Sequence, residues 1–247
     1  MRTTVAPRVS AAPDVLDWLR GLVSVAFVLL LPLLLISTSL RGLVSDREFL
    51  LRGFRDNDVG LVTGLDDRQL ERVADAFVAY LQGPPGQLQL DVRVGPRSQP
   101  LLNDREVEHM QDVQALIQLF LRLQVVAATV VVVRALLALA VDRSSVPIGR
   151  EMLWSTGLIV GLVALVGVLS LVDFSELWVR FHQVAFRNDL WQLDPSSDYL
   201  IMLFPPPFWF AATVRMATTV ALQAAAVLIV GLVLVFGPRL IGRSQAA

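Results

Sequence analysis

Four apolar stretches, each at least about 20 residues long, leave this chain little choice of solvent. The hydrocarbon core of a bilayer, ~30 Å thick, needs ~20 helical residues at ~1.5 Å each. The stretches Leu19 to Leu40, Leu116 to Val141, Leu153 to Val172 and Met216 to Phe236 all reach that length. Inside hydrocarbon every backbone N–H and C=O must find a partner within the protein, so such stretches become helices. Composition agrees: 55% of residues are hydrophobic, only 17% are charged, and the mean hydropathy is +0.61. The expected fold is an α-helical integral membrane protein with four transmembrane helices.

Two residues sit awkwardly in these spans. Arg134 lies in the second, close enough to Asp142 that its guanidinium is expected to snorkel to the interface. Pro32 lies in the first, where it is tolerable when neighbours satisfy the carbonyl it frees. The first stretch has a rival reading as a cleaved signal peptide, with Ser37, Thr38 and Ser39 near the cut, but its apolar run is long for that role. We retain it as a span. In the third span the GLIVG stretch, Gly157 to Gly161, offers a close-packing surface to another helix of this chain or of a second copy, so oligomeric state stays open.

Orientation follows from arginine, since all 21 basic side chains are arginine. Arg2, Arg8 and Arg20 flank the start of the first span, Arg143 and Arg150 lie in the short loop, and Arg239 and Arg243 follow the last span. By the positive-inside rule these ends are cytoplasmic. The expected order is a cytoplasmic tail (1–18), span 19–40, an extracellular cap (41–115), span 116–141, a cytoplasmic loop (142–152), span 153–172, an extracellular aromatic and proline-rich segment (173–215), span 216–236 and a cytoplasmic tail (237–247).

The cap between the first two spans reads as a small mixed α/β unit. SDRE from Ser45 and DDRQ from Asp66 have capping-box spacing. Leu70, Val73, Phe77, Val78 and Leu81 then recur with helical period, until Gly83 to Gly86 ends the helix. QLQLDVRV alternates Leu88, Leu90, Val92 and Val94 on one face, as a half-buried strand does. Asn103 and Glu106 are spaced to cap a helix that runs into the second span.

The chain has two histidines, and both fall on the outer side near the edge of a span. His109, in REVEHMQDV, shares a helix face with Glu106 and Asp112. A carboxylate beside an imidazole can fix its tautomer, yet the same spacing describes an ordinary charged helix face. His182, in FHQVAFRNDLWQLDPSSDYLIMLFPPPFW, is surrounded in sequence by aromatics. A membrane-interface belt explains about half of those rings. It does not explain Pro205, Pro206 and Pro207, which predict a non-helical bend and a cavity at the headgroup level.

These two histidine blocks resemble those of a family of bacterial integral membrane proteins that includes the lipoprotein intramolecular transacylase. The resemblance extends through TGLDDRQLERVADAFVAYLQG and the arrangement of spans, over most of the chain. It implies four spans with an extracellular cap and two catalytic histidines, which on the matching blocks are His109 and His182. It also implies an acyltransferase in the bacterial cell membrane, acting on a diacylated lipoprotein. The sn-2 acyl chain would move to the α-amino group of the substrate's N-terminal cysteine, giving the lyso form with no cofactor. Around that pair, Asp112 is the candidate to orient His109, and Asn188 and Asp198 are candidates for polar support of His182. Phe186, Trp191, Phe204, Phe208 and Trp209 are the candidate pocket residues.

Other chemistries fit less well. A metal is not expected, because two histidines without HExxH spacing fall short of the usual three protein ligands of a catalytic zinc. No cysteine is present, so thiol chemistry and disulfides are excluded. No GxSxG elbow or phosphate-cradling glycine loop occurs, and a net charge of −1 argues against nucleic acid. The alternative from another class is a non-catalytic membrane protein whose cap binds a partner protein or a lipid headgroup.

Overall fold

In the computed structural model, which describes residues 15–142 and 144–244, each apolar stretch lies along one long helix, the second running on into a π-helical turn. These are α1 (Val15–Val44), α5 (Asp104–Leu137), α6 (Val146–Ala185) and α8 (Pro206–Ser244). Three short helices, α2 (Arg47–Asp56), α3 (Val59–Thr63) and α4 (Asp67–Gln82), and a hairpin of β1 (Asp91–Val94) and β2 (Arg97–Pro100) lie between α1 and α5. A one-turn helix, α7 (Tyr199–Leu203), precedes α8. Arg2, Arg8 and Arg143, three of the orientation-setting arginines, lie outside the described residues.

The two awkward positions inside the bundle, Pro32 and Arg134, are both answered by side chains of α6. Pro32 has no N–H to give the Val28 carbonyl, and the Ser155 hydroxyl of α6 donates to that oxygen at 3.1 Å. Arg134 departs from expectation. Rather than snorkelling, it is 4% exposed and forms two 2.8 Å bonds to the Glu151 carboxylate of α6. Sequence spacing could not show this pair, because the loop between α5 and α6 decides whether positions 134 and 151 face each other. Within this chain the close helix approach lies at other glycines than those of the GLIVG stretch. A Cβ on Gly157 or Gly161 would meet nothing within 4 Å, whereas one on Gly149 would lie 3.0 Å from the Gly231 carbonyl, where α6 and α8 approach. Beyond Leu137, α5 passes into a π-helical turn, Ala138–Asp142.

The polar segment between α1 and α5 has its own core. Phe54, Val59, Val73, Phe77, Val92 and Leu101 are almost completely buried, and Leu203, Phe204 and Phe208 from α7 and the start of α8 complete it. The N-cap of α2 is Asp46, whose carboxylate accepts from Phe49 N–H at 2.8 Å, one residue beyond the expected Ser45. Ser45 instead bonds back to the Arg41 carbonyl. Asp66 caps α4 as its spacing predicts. Gln69, however, uses its amide to clamp the Arg93 backbone N–H and C=O at 2.6 and 2.9 Å, fixing α4 to β1. The expected strand is shorter than its alternating pattern and is partnered by β2 through the turn at Gly95, whose φ of 61° suits a glycine. Buried Gln114 of α5 donates to the Tyr80 and Pro84 carbonyls and accepts from Gly86 N–H, so the loop after α4 is fastened to α5.

Two breaks position the remaining site residues. At Asp173 the α6 backbone leaves helical geometry (φ −158°, ψ 96°), and the Asp173 carboxylate caps the next turn by accepting from Glu176 N–H. The second break follows α7. Only Phe204 and Pro205 interrupt the helices, because Pro206 and Pro207 occupy the first turn of α8, where a missing N–H costs nothing. The three prolines therefore make a sharp corner rather than the longer non-helical bend expected.

Candidate active site

α5 begins with a complete capping box: Asn103 Oδ1 accepts from Glu106 N–H, and Glu106 Oε2 accepts from Asn103 N–H. The other Glu106 oxygen accepts from Leu200 N–H at 2.6 Å, tying the start of α5 to α7. His109 lies about one turn further along α5. His182 comes from the restarted part of α6, nine residues after its break at Asp173. The two rings meet with centroids 6.1 Å apart and planes tilted by 35°. Both are buried, at 5% and 6% exposure.

The hydrogen bonds distinguish the two rings. His182 Nδ1 lies 2.8 Å from the Trp178 carbonyl. A carbonyl can only accept, so the proton sits on Nδ1 and the basic lone pair on Nε2. His109 Nδ1 is buried with no hydrogen-bond partner among the described residues. Both histidines lie outside the apolar stretches, His109 by ~10 Å and His182 by ~15 Å of helical rise. Burial pushes His109 down to about 4, with the neighbouring His182 acting in the same direction and Asp112 opposing. Burial also lowers His182, against the pull of the Trp178 carbonyl. Both rings are therefore neutral at physiological pH.

Aromatic side chains enclose the pair. Phe186 touches both, with ring centroids 5.1 Å from His109 and 5.6 Å from His182. Trp191 lies 5.0 Å from His182 on one side and Trp178 lies 4.6 Å away on another. Trp209 reaches the site indirectly, by stacking on Trp178 at 4.6 Å. Phe204 and Phe208 are placed elsewhere, in the core among Phe49, Phe54 and Phe77, where their large apolar surface is buried.

The polar candidates are also redistributed. Asp112 forms no hydrogen bond to His109; its Oδ2 accepts from Asn188 Nδ2 at 2.8 Å, joining α5 to the loop after α6. Asp198 accepts from Asn103 Nδ2 and from Asp194 N–H, so it supports the α5 cap and its own turn rather than His182. Asn188 likewise supports Asp112. The sequence reading did not single out Trp178 or Arg105. Trp178 is four residues before His182 on one helix face, a spacing that would have found it. Arg105 donates to the Asp189 and Leu190 carbonyls, holding the Trp191 loop over the site; no sequence signal marks that contact. Beside the pair lies a hollow of ≈ 360 Å³ walled by Phe186 and by residues of α5 and the end of α6.

Four helices long and apolar enough to cross a membrane, two of which deliver neutral, buried imidazoles into one enclosure of aromatic rings, define a multi-pass helical membrane protein. Residues 25–209 match the family model of the lipoprotein intramolecular transacylase Lit, and the chain belongs to that family. An uncharacterized protein of Aquifex aeolicus (strain VF5) is 23% identical over 215 residues, 87% of this chain and 95% of that protein. The in meso structure of the membrane integral lipoprotein intramolecular transacylase Lit from Bacillus cereus aligns with a TM-score of 0.78 at 15% identity. It covers 90% of this chain and 99% of that one. A second structure of that protein, with a histidine replaced by arginine, aligns with a TM-score of 0.72 at 15% identity, covering 91% and 96%. At this identity the structural likeness establishes the shared fold.

Proposed function

We propose that this protein is an intramolecular transacylase of the bacterial cell membrane. It moves the sn-2 acyl chain of a diacylglyceryl lipoprotein to the α-amino group of the substrate's N-terminal cysteine. The observation that carries this reading is the convergence of His109 and His182 beside one aromatic wall, Phe186. The non-catalytic alternative gives no reason for two buried imidazoles to meet. The arginine pattern supports placing the cap and the site on the outer face.

The reaction is an isomerisation. The amine nitrogen attacks the sn-2 ester carbonyl through a ring of about eight atoms, forming an N–C bond and a tetrahedral oxyanion. Collapse breaks the bond to the glyceryl oxygen, which receives a proton in place of the one the amine loses. Atoms balance with no co-reactant. Aromatic walls that hold the folded-back conformer lower the entropic barrier, because well-oriented groups reach effective molarities of ~10⁵ M or more.

His182 is the base in this scheme. Its Nδ1–H is committed to the Trp178 carbonyl, leaving Nε2 free to take the amine proton. His109 supplies the second role, stabilising the oxyanion through its N–H, while the proton taken up by His182 goes to the leaving oxygen and returns both rings to the neutral form. An imidazolium formed in so apolar a setting is a strong acid, so it gives up its proton readily.

The test is to express the parent, His109→Ala and His182→Ala with a reporter lipoprotein and read its N-terminus by mass spectrometry. The parent yields the lyso, N-acylated form and each variant leaves the diacyl form. A lyso product at the parent rate from both variants overturns the histidine assignment, and no lyso product from the parent overturns the reaction itself.

A further inference from the structure

Asp112 was expected to orient His109, and its geometry suits a different task. Its carboxylate forms no hydrogen bond to that ring. Oδ2 accepts from Asn188, and among the described residues no other hydrogen bond or ion pair reaches the group. It lines the ≈ 360 Å³ hollow beside the histidines. Leu116 and Leu119, one and two turns along α5 from it, line the same hollow and make that end apolar. Phe186 is shared: it walls the hollow and contacts both imidazoles.

A hollow with an aliphatic end, a half-buried carboxylate at its rim and the imidazole pair behind its wall is shaped for an amphiphile with a cationic or amine head. Arg187 lines the same rim without pairing to Asp112, so the negative charge is not already neutralised there. We infer that Asp112 is the residue that recognises the substrate's α-amino group, with an acyl chain lying along Leu116 and Leu119 and the ester presented toward the histidines. This rests on the transacylase reading and adds the subsite that selects a free amine. Attack on the ester makes the amine nitrogen cationic before it gives up its proton, and a carboxylate beside that nitrogen stabilises the charge as it develops. Asn188 holds the carboxylate in place without neutralising it.

The discriminating probe is a diacylglyceryl-cysteinyl peptide analogue with ether-linked chains, which cannot react. It is prepared with a free α-amine and with an N-acetyl cap. The parent binds the free amine roughly ten- to a hundred-fold more tightly, the scale of one charge-assisted bond. In Asp112→Asn, which preserves the shape and an acceptor for Asn188, that preference falls to within about twofold while the N-acetyl analogue binds as before, reporting an intact fold. Asp112→Glu restores part of the preference.

Equal binding of the two analogues by the parent, or an unchanged preference in Asp112→Asn, overturns the inference. The second result, accompanied by slower turnover of the ester peptide, returns Asp112 to orienting His109. Failure of the underlying reaction reads differently: the parent then leaves the ester peptide unreacted whatever its binding preference.

Discussion

Replacing Arg134 with methionine tests how the bundle handles charge. Arg134 and Glu151 are 4% and 9% exposed and are joined by two bonds of 2.8 Å. Removing one partner strands the other charge in a low-dielectric interior, at a cost of about 3–5 kcal/mol. Glu151→Met takes both of these bonds from the guanidinium and is destabilising as well. The double variant removes both charges of the pair and replaces them with apolar side chains, a change that is often near neutral. The two single losses therefore exceed the double loss by at least about 3 kcal/mol, well beyond the ~0.5 kcal/mol within which independent sites add. The assay is reversible unfolding in mixed micelles of rising SDS fraction, followed by tryptophan fluorescence. Additive losses, or an Arg134→Met variant within ~0.5 kcal/mol of the parent, refute the buried pair and return Arg134 to a lipid-facing, snorkelling role.

Other predictions concern single bonds and protons. Ser155→Ala leaves the Val28 carbonyl without a donor and costs about 1–2 kcal/mol; adding Pro32→Ala restores the backbone N–H and recovers most of the loss, which the same unfolding assay reads. NMR titration of ¹⁵N-histidine in nanodiscs places His109 near 4, and His182→Ala raises that value because the second ring no longer opposes the proton. Both folded values lie below the ordinary ~6.5, so the unfolded chain takes up protons first. The neutral rings' stabilisation is complete above that pH and is lost as pH falls toward 4. At Asp46, burial works against the charge, but the Phe49 N–H and the Arg215 guanidinium outweigh it and hold the carboxyl below its usual range. That stabilisation is present above pH ~4 and lost on further acidification. Unfolding midpoints of the parent and Asp46→Asn therefore differ at neutral pH and converge in acid.

Much of this architecture was legible because its causes are local. Apolar length announces four membrane helices, and capping chemistry marks Asp66 and the Asn103–Glu106 box within a few residues of each helix start. The histidines were visible through rarity and position, but their meeting is a tertiary fact, and His182 lies on the part of α6 that follows the kink at Asp173. Side-chain allegiance was the least legible layer. Asp112 has His109 three residues away and chooses Asn188 across the site, while Asp198 turns to Asn103. Phe204 and Phe208 looked like pocket walls by composition, yet the small core of the polar segment needed their bulk. The role of Pro206 and Pro207 was misjudged because a helix can start on proline as readily as it can be broken by one.

The most direct test of the central claim follows the acyl chain itself. Two lipopeptides are mixed with the purified protein, one with a deuterated sn-2 chain on a light peptide and one with an unlabelled chain on a heavy peptide, and the products are read by mass spectrometry. The account predicts that every transferred chain appears on the amine of its own peptide, in the parent and in neither histidine variant. Chains scrambled between the two peptides, or transfer that survives the loss of both His109 and His182, would contradict it.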